Sequence, residues 1–276
     1  GTGTLLSSAS SLNATTAGVI RLLGGPLGGV LFALVGIRWL IMADVISYLV
    51  AAGLVLMTTP VVVRRTRAVT GMLADLSAGM RALRSSLAAR GLLAVQVAFL
   101  TANAALSAVL IPFGMQRLGG STQTGLLMAA LGVGFLLGSS LLRIVLDRVQ
   151  PRRVLAVSLA VTAVGYPAMF TTTNLNVVLP AAIILGLAGV ITLSVPTTTV
   201  QRVTDNAVLG RINAVFLSAA AAATLIGAIT GPFLAQLLDL GGAAAVVGAG
   251  TMATAGMAWI IIPTIEVPTT APADFR

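Results

Sequence analysis

The stretch TGLLMAALGVGFLLGSSLLRIVLDRVQPRRVLAVSLAVTAVGYPAMF, residues 124–170, decides the fold of this chain. It contains two apolar runs, each of about the 20 residues that are needed to cross roughly 30 Å of hydrocarbon. The short segment between them carries Arg143, Asp147, Arg148, Arg152 and Arg153. So many charges are too costly to place in lipid, and the segment must therefore lie at a water-facing surface of a membrane.

The composition of the whole chain leads to the same class of protein. Of its 276 residues 57% are hydrophobic and 8% are charged, and the mean hydropathy is +1.04. Soluble domains carry about 25% charged residues, so the soluble class is excluded. Cysteine and histidine are absent, which excludes disulfides, thiolate nucleophiles and histidine metal sites. We therefore expect an all-α, polytopic membrane protein with no metal, no cofactor and no enzyme activity.

Apolar runs between charge and turn clusters predict eight transmembrane helices. Their predicted limits are 8–33, 38–58, 91–114, 123–145, 153–171, 176–199, 211–236 and 241–263. The predicted organisation is a pair of helices in 1–58, a linker in 59–90, a six-helix bundle in 91–263 and a disordered tail in 264–276.

Arginine placement predicts the orientation. The basic residues are all arginine and sit in short loops rather than in one patch, which speaks against nucleic acid as a partner. Thirteen of the 16 lie at 59–90, 143–153, 200–211 and the C-terminal tail, which alternation puts on one side. Arg38 and Arg117 lie opposite, and Arg21 lies within a span. The positive-inside rule makes the arginine-rich side, with the C-terminus, cytoplasmic.

The linker 59–90 carries a helical pattern of its own. Leu73, Leu76, Met80, Leu83 and Leu87 recur at spacings of three and four residues. Asp75, Arg81 and Arg84 lie opposite. The pattern predicts an amphipathic helix along the membrane surface, with a solvated linker as the alternative.

Small residues mark three helices as sites of close packing, because apolar side chains gain little from associating in lipid. The first helix carries Gly24, Gly25, Pro26, Gly28 and Gly29; the fourth carries Gly134 and Gly138; and the seventh carries Gly227, Gly231 and Pro232. The prolines remove backbone hydrogen bonds and predict bends. A moving bend and ordinary packing are both compatible with these glycines. The recurrence of the Gly-Pro pattern resembles the internal repeats of transporters.

Few polar residues lie inside the spans. They are Arg21, Asp44, Gln96, Asn103 and the cluster Thr197–Thr199. Ionisable groups at membrane depth are functional candidates because their burial is costly, so the first four are candidates for a transport path. The alternatives are that Arg21 reaches the interface, Asp44 caps or pairs near its helix end, and the two amides bond neighbouring helices.

In its motifs and helix spacing the chain resembles the major facilitator superfamily, in its branch of macrolide-efflux, enterobactin-exporter and transmembrane secretion effector proteins. The segments that carry the resemblance are RLLGGPLGG (21–29), SAGMRALRSS (77–86), LLRIVLDRVQPRR (141–153) and VQRVTDNAVLGRINAV (200–215). The eight helices would correspond to family helices five to twelve. Because the chain starts with glycine and lacks a signal peptide, we expect a fragment without the first four helices, unable to transport alone.

The resemblance implies specific roles. Asp147, Arg148, Arg152 and Arg153, with Gly210 and Arg211, are similar to the family's cytoplasmic latch; simple orientation charge is the alternative for the arginines. It also implies a secondary exporter of apolar or amphipathic molecules such as drugs, macrolides or siderophores, coupled to protons, in a bacterial cytoplasmic membrane. A solute importer and a non-catalytic permease subunit stay open. No Gly-x-Ser-x-Gly elbow or phosphate-binding P-loop occurs, which disfavours a membrane enzyme and ATP hydrolysis.

Overall fold

The computed structural model describes residues 31, 34–57, 77–81, 83–84, 86–204 and 206–263. Within these ranges the side chains of residues 143–147, 202–203 and 206–207 are left out of the description. The helices are α1 Ile37–Met57, α2 Leu87–Gln116, α3 Ser121–Arg148, α4 Pro151–Phe170, α5 Leu175–Val203 and α6 Asn206–Ile261. A further short helical stretch lies within residues 77–84. The predicted all-α membrane fold is thereby confirmed.

Six of these helices are long and apolar enough to cross a membrane. The last of them has 56 residues, which at about 1.5 Å per residue is far longer than a bilayer is thick. It is broken at Asp239, where φ is 60° and ψ is 179°. The Asp239 carboxylate accepts a hydrogen bond of 2.7 Å from the Gly242 amide and so caps the second segment. We call the two segments α6a (206–238) and α6b (240–261).

The predicted helix limits agree with the described ones to within a few residues. The largest shifts are at the starts of α2 and α6a, which begin at Leu87 and Asn206 instead of 91 and 211, and at the end of α5, which is Val203 instead of 199. The predicted helix 8–33 falls almost entirely outside the described residues, so the count of eight is not established. The predicted tail at 264–276 lies outside them as well.

The start of α2 corrects one detail of the predicted surface helix. Ser86 has an extended backbone, and its hydroxyl accepts a bond of 3.3 Å from the Ala89 amide, which caps α2. Leu87 therefore opens the spanning helix instead of continuing the surface pattern. Of the predicted apolar face, Leu83 is buried and Met80 is exposed; Leu73 and Leu76 lie outside the described residues.

The bundle 87–261 consists of two closely packed helix pairs, α2 with α6a and α3 with α5, together with α4 and α6b. Helix α2 packs along α6, and α3 packs along α5. Helix α4 packs against α5 and, at Gly248, against α6b, so α4 and α6b together connect the pairs. Direct contact of α2 with α3 and α5 is sparse. This arrangement leaves space between the pairs, and the candidate functional site lies there.

Helix α1 differs from the bundle because none of its residues is buried. Its large apolar side chains, such as Trp39 and Leu56, are exposed along its whole length. An apolar helix with this exposure is stable in hydrocarbon and unfavourable in water.

Candidate functional site

A polar cleft opens between the two helix pairs near the end of the bundle where α2 and α6a begin. Its volume is about 790 Å³. The polar side chains that line it are Gln96 from α2, Ser194, Thr197, Thr198 and Gln201 from α5, and Asn213 from α6a. Its apolar walls come from residues such as Leu142 and Phe216. No charged side chain lines the cleft in the described part of the chain.

Gln96 is the least solvated of these polar groups. Its side chain is 6% exposed, and its Oε1 atom has no hydrogen-bond partner among the described residues. A buried acceptor without a partner costs about 1–3 kcal/mol of stability. A ligand or water that donates to this carbonyl would recover that loss. Gln96 is thus the cleft residue with the strongest physical reason to bind something.

A second, smaller cavity lies between the same pairs, further from that end of the bundle. Its volume is about 180 Å³. Its wall includes Phe99, Asn103, Phe135, Tyr166, Phe170 and Leu193. Phe135 and Leu193 also line the cleft, so these two side chains separate the two spaces. The cavity wall is uncharged too, as far as the structure describes it.

The structure distributes the predicted transport-path residues over these spaces. Gln96 lines the cleft, and Asn103, two helical turns further along α2, lines the cavity. Asp44 is exposed on α1, where its backbone carbonyl accepts a bond of 2.7 Å from the Ser47 hydroxyl. Arg21 lies outside the described residues. Two of the four candidates therefore line the two adjacent spaces between the helix pairs, which we together call the route.

The predicted packing glycines lie where the paired helices approach most closely. A methyl group at Gly134 would overlap the Ile183 carbonyl oxygen, and one at Gly138 would come within 2.6 Å of the Leu187 carbonyl. Both contacts join α3 to α5. Backbone atoms in these positions cannot move aside easily, so the small side chain is required for this α3–α5 spacing.

The α2–α6a pair also packs closely at glycines. Methyl groups at Gly227 and Gly231 would overlap the carbonyl oxygens of Thr101 and Ala105. Pro232, next to the second contact, lies inside α6a, which continues through it as a helix. The first-helix residues Gly24, Gly25, Pro26, Gly28 and Gly29 lie outside the described residues.

The arginine-rich end of the bundle gathers most of the residues assigned to a latch. Arg148 ends α3, and Arg152 and Arg153 stand in the first turn of α4. No ion pair joins these three arginines to a described side chain. The Arg152 guanidinium lies 5.2 Å from the centre of the Trp259 ring, a cation–π contact that ties α4 to α6b. Asp147 lies in the last turn of α3, with its side chain outside the description.

Gly210 and Arg211 lie in the first turns of α6a. A methyl group at Gly210 would meet no atom within 4 Å. The Arg211 backbone instead packs on the helical stretch before α2, since a methyl at Gly79 would come within 2.6 Å of its carbonyl oxygen. The linker therefore contacts the bundle at this point, beside the buried Leu83.

Several residues of the site were not singled out from the sequence. Phe99, Phe135, Tyr166 and Phe170 stand in apolar runs, where an aromatic residue is typical of packing. Ser158 and Thr192 form a buried hydroxyl pair 2.9 Å apart between α4 and α5. Single hydroxyl residues in a span commonly bond their own helix backbone, so this contact is not predictable from the sequence.

Comparison with known proteins identifies the family. The family model described as Major Facilitator Superfamily matches residues 3–216 and 92–276, which together cover almost the whole chain. No curated protein and no solved structure matches it. The match agrees with the helical membrane fold. The chain therefore belongs to the Major Facilitator Superfamily of secondary transporters and is a multi-pass membrane protein.

Proposed function

We propose that this protein exports apolar or amphipathic small molecules, such as drugs, macrolides or siderophores, across a bacterial cytoplasmic membrane. The observation that carries the proposal is the route formed by the cleft and the cavity, whose described walls have polar uncharged groups and no charge. A substrate with fixed charges, such as a sugar phosphate, would be desolvated there without a counter-ion. Apolar and amphipathic molecules meet no such cost.

The proposed direction of transport is outward, and the place of the cleft supports entry of the substrate from the cytoplasm. The cleft lies at the arginine-rich end of the bundle, which the positive-inside rule assigns to the cytoplasm together with the C-terminus. Substrates would then enter from the cytoplasm through the cleft. Rocking of the bundle 87–261 against the predicted helix pair of 1–58 would then expose the cleft to the other side, as in alternating access.

Proton coupling is part of the proposal because of the resemblance to exporters of this family. The route itself has no ionisable side chain in its described part other than Tyr166. Arg21 and Asp44 are the proposed ionisable candidates within spans, and Asp147 with its neighbouring arginines is the proposed latch between states. The resemblance of the chain to the branch of macrolide-efflux, enterobactin-exporter and secretion effector proteins supports the proposal of an exporter without catalytic activity.

The experiment is uptake of a radiolabelled macrolide into everted membrane vesicles from cells that express the complete gene. We expect uptake that exceeds the empty-vector control and stops when a protonophore collapses the gradient. Gln96→Leu should reduce it, whereas Leu56→Ala, on an exposed face of α1, should not.

Three results would contradict the proposal. Accumulation only in right-side-out vesicles would indicate an importer. Uptake that requires ATP and resists the protonophore would indicate a permease subunit with a separate ATPase. Uptake equal to the empty-vector control for a macrolide, an amphipathic dye and a siderophore would exclude the proposed substrate class.

A further inference from the structure

The smaller cavity has a wall unusually rich in aromatic rings for this chain. The protein has only eight phenylalanines and two tyrosines, yet Phe99, Phe135, Tyr166 and Phe170 all line this one space. Phe113 packs against Phe170 with ring centres 4.9 Å apart and an angle of 52° between the planes. The Phe113 ring supports the wall from outside the cavity.

The volume limits what can bind. At about 180 Å³, the cavity is slightly larger than an engineered apolar cavity of about 150 Å³ that holds benzene. It therefore accepts one six-membered ring with a small substituent, and it is far too small for a whole macrolide. Aromatic pairs favour offset or edge-to-face contacts with ring centres about 4.5–7 Å apart, so a wall of rings favours an aromatic guest.

Two polar side chains on α2 can orient a guest in the cavity by hydrogen bonding. Asn103 and Ser107 both line it and stand one helical turn apart. Neither side chain makes a hydrogen bond to a described group. An amide both donates and accepts, as does a hydroxyl, so the two together can hold a hydroxyl or carbonyl substituent. The remainder of the wall is mainly apolar.

Gly189 shows that the cavity is space left open by a missing side chain. A methyl group there would meet no atom within 4 Å, although Gly189 lines the cavity. One turn earlier on α5, a methyl at Gly186 would overlap the Leu131 carbonyl oxygen. Packing thus requires glycine at Gly186 but not at Gly189, and any larger residue at Gly189 would project into the open space.

We propose that this cavity is a binding site for a single aromatic ring that carries one hydroxyl or carbonyl group. The inference rests on the proposed function in one respect, since it assigns this ring to the transported molecule. The ring would lie beyond Phe135 and Leu193, and the more polar remainder of the substrate would lie in the cleft. Binding of an isolated ring can be measured without transport.

The test is fluorine NMR of 4-fluorophenol with the protein in lipid nanodiscs, corrected for partition into empty nanodiscs. We expect saturable binding that phenol displaces. Cyclohexanol has nearly the same size but no aromatic ring, and it should compete about threefold to tenfold more weakly. Gly189→Val should weaken binding at least tenfold by filling the cavity. Gly256→Val is the matched control, because Gly256 is exposed on α6b with open space around it.

Three outcomes would overturn the site: no saturable binding beyond empty nanodiscs, equal competition by phenol and cyclohexanol, or equal loss in the two valine variants. The vesicle assay separates this result from the proposed function. Export of an amphipathic dye with an aromatic ring that persists unchanged in Gly189→Val would remove the cavity from the substrate route and leave the exporter intact. Binding of 4-fluorophenol with no export by the unmodified protein would remove the exporter and leave the binding site.

Discussion

The two helix pairs are packed tightly within themselves and loosely against each other. Within α3–α5 and α2–α6a, glycines let the backbones approach until a single methyl group would overlap a carbonyl oxygen. Between the pairs lie the cleft of about 790 Å³ and the cavity of about 180 Å³. This difference in packing indicates that each pair is a rigid unit and that the space for binding lies at the boundary between the two units.

The largest effect is expected when a tight contact is forced apart. Gly231→Val should lower the free energy of unfolding by about 3 kcal/mol, because the new side chain meets the Ala105 backbone and cannot be accommodated by rotation. Thermal unfolding in detergent measures the change, with Gly256→Val as the exposed control. Equal melting temperatures for both variants would show that the α2–α6a pair is not rigid.

A substitution at the loosely packed boundary between the pairs should instead raise the free energy of unfolding. Gln96→Leu should raise the free energy of unfolding by about 1 kcal/mol, because it removes a buried carbonyl that has no described partner. Gln201→Leu serves as the control, since Gln201 lines the same cleft but is exposed. A stability loss in Gln96→Leu, measured by the same unfolding assay, would mean that the Gln96 amide is satisfied in the membrane.

The connection of α4 to the α2–α6 pair gives a smaller effect. The cation–π contact between Arg152 and Trp259 should give a coupling energy of about 0.5–1 kcal/mol, whereas Arg152→Ala by itself also removes a buried Nε atom that has no described partner. Arg153→Ala, at an exposed neighbouring position, should be close to neutral. A double-mutant cycle with Trp259→Leu isolates the interaction, and a coupling energy of zero would refute the contact.

The connection of α4 to the other pair should give the smallest effect. Ser158→Ala removes a hydroxyl that lies 2.9 Å from that of Thr192, and we expect a loss of about 0.6 kcal/mol, the usual value for a bond between membrane helices. Ser140→Ala is the control, because the exposed Ser140 hydroxyl bonds its own helix. A loss equal to that of the control would show that Ser158 does not join α4 to α5.

The sequence predicts the helices well because the boundary between lipid and water imposes one simple rule on every span. Charge clusters and apolar run lengths place α3 and α4 within a few residues of their described limits. The surface helix is predicted less well, since Ser86 caps α2 and takes Leu87 into the span. Capping depends on one local hydrogen bond, which periodicity does not detect.

The site is predicted only in part. Gln96 and Asn103 are visible in the sequence because polar groups are rare in spans, yet their assignment to two spaces depends on how Phe135 packs. The position of Tyr166 and Phe170 at the cavity cannot be predicted from the sequence. An aromatic residue in an apolar helix gives the same sequence pattern whether it fills a packed core or lines a cavity. Gly189 resembles the packing glycines, and only the surrounding atoms distinguish it.

The exclusive use of arginine for positive charge makes the basic charge of this chain insensitive to pH. Guanidinium groups stay protonated at every physiological pH, and the chain has neither lysine nor histidine. The positive charge at its basic end is therefore constant at every physiological pH. Any acid-sensitive switching between pH 5 and 9 by the side chains of this chain must come from its seven aspartate and glutamate residues.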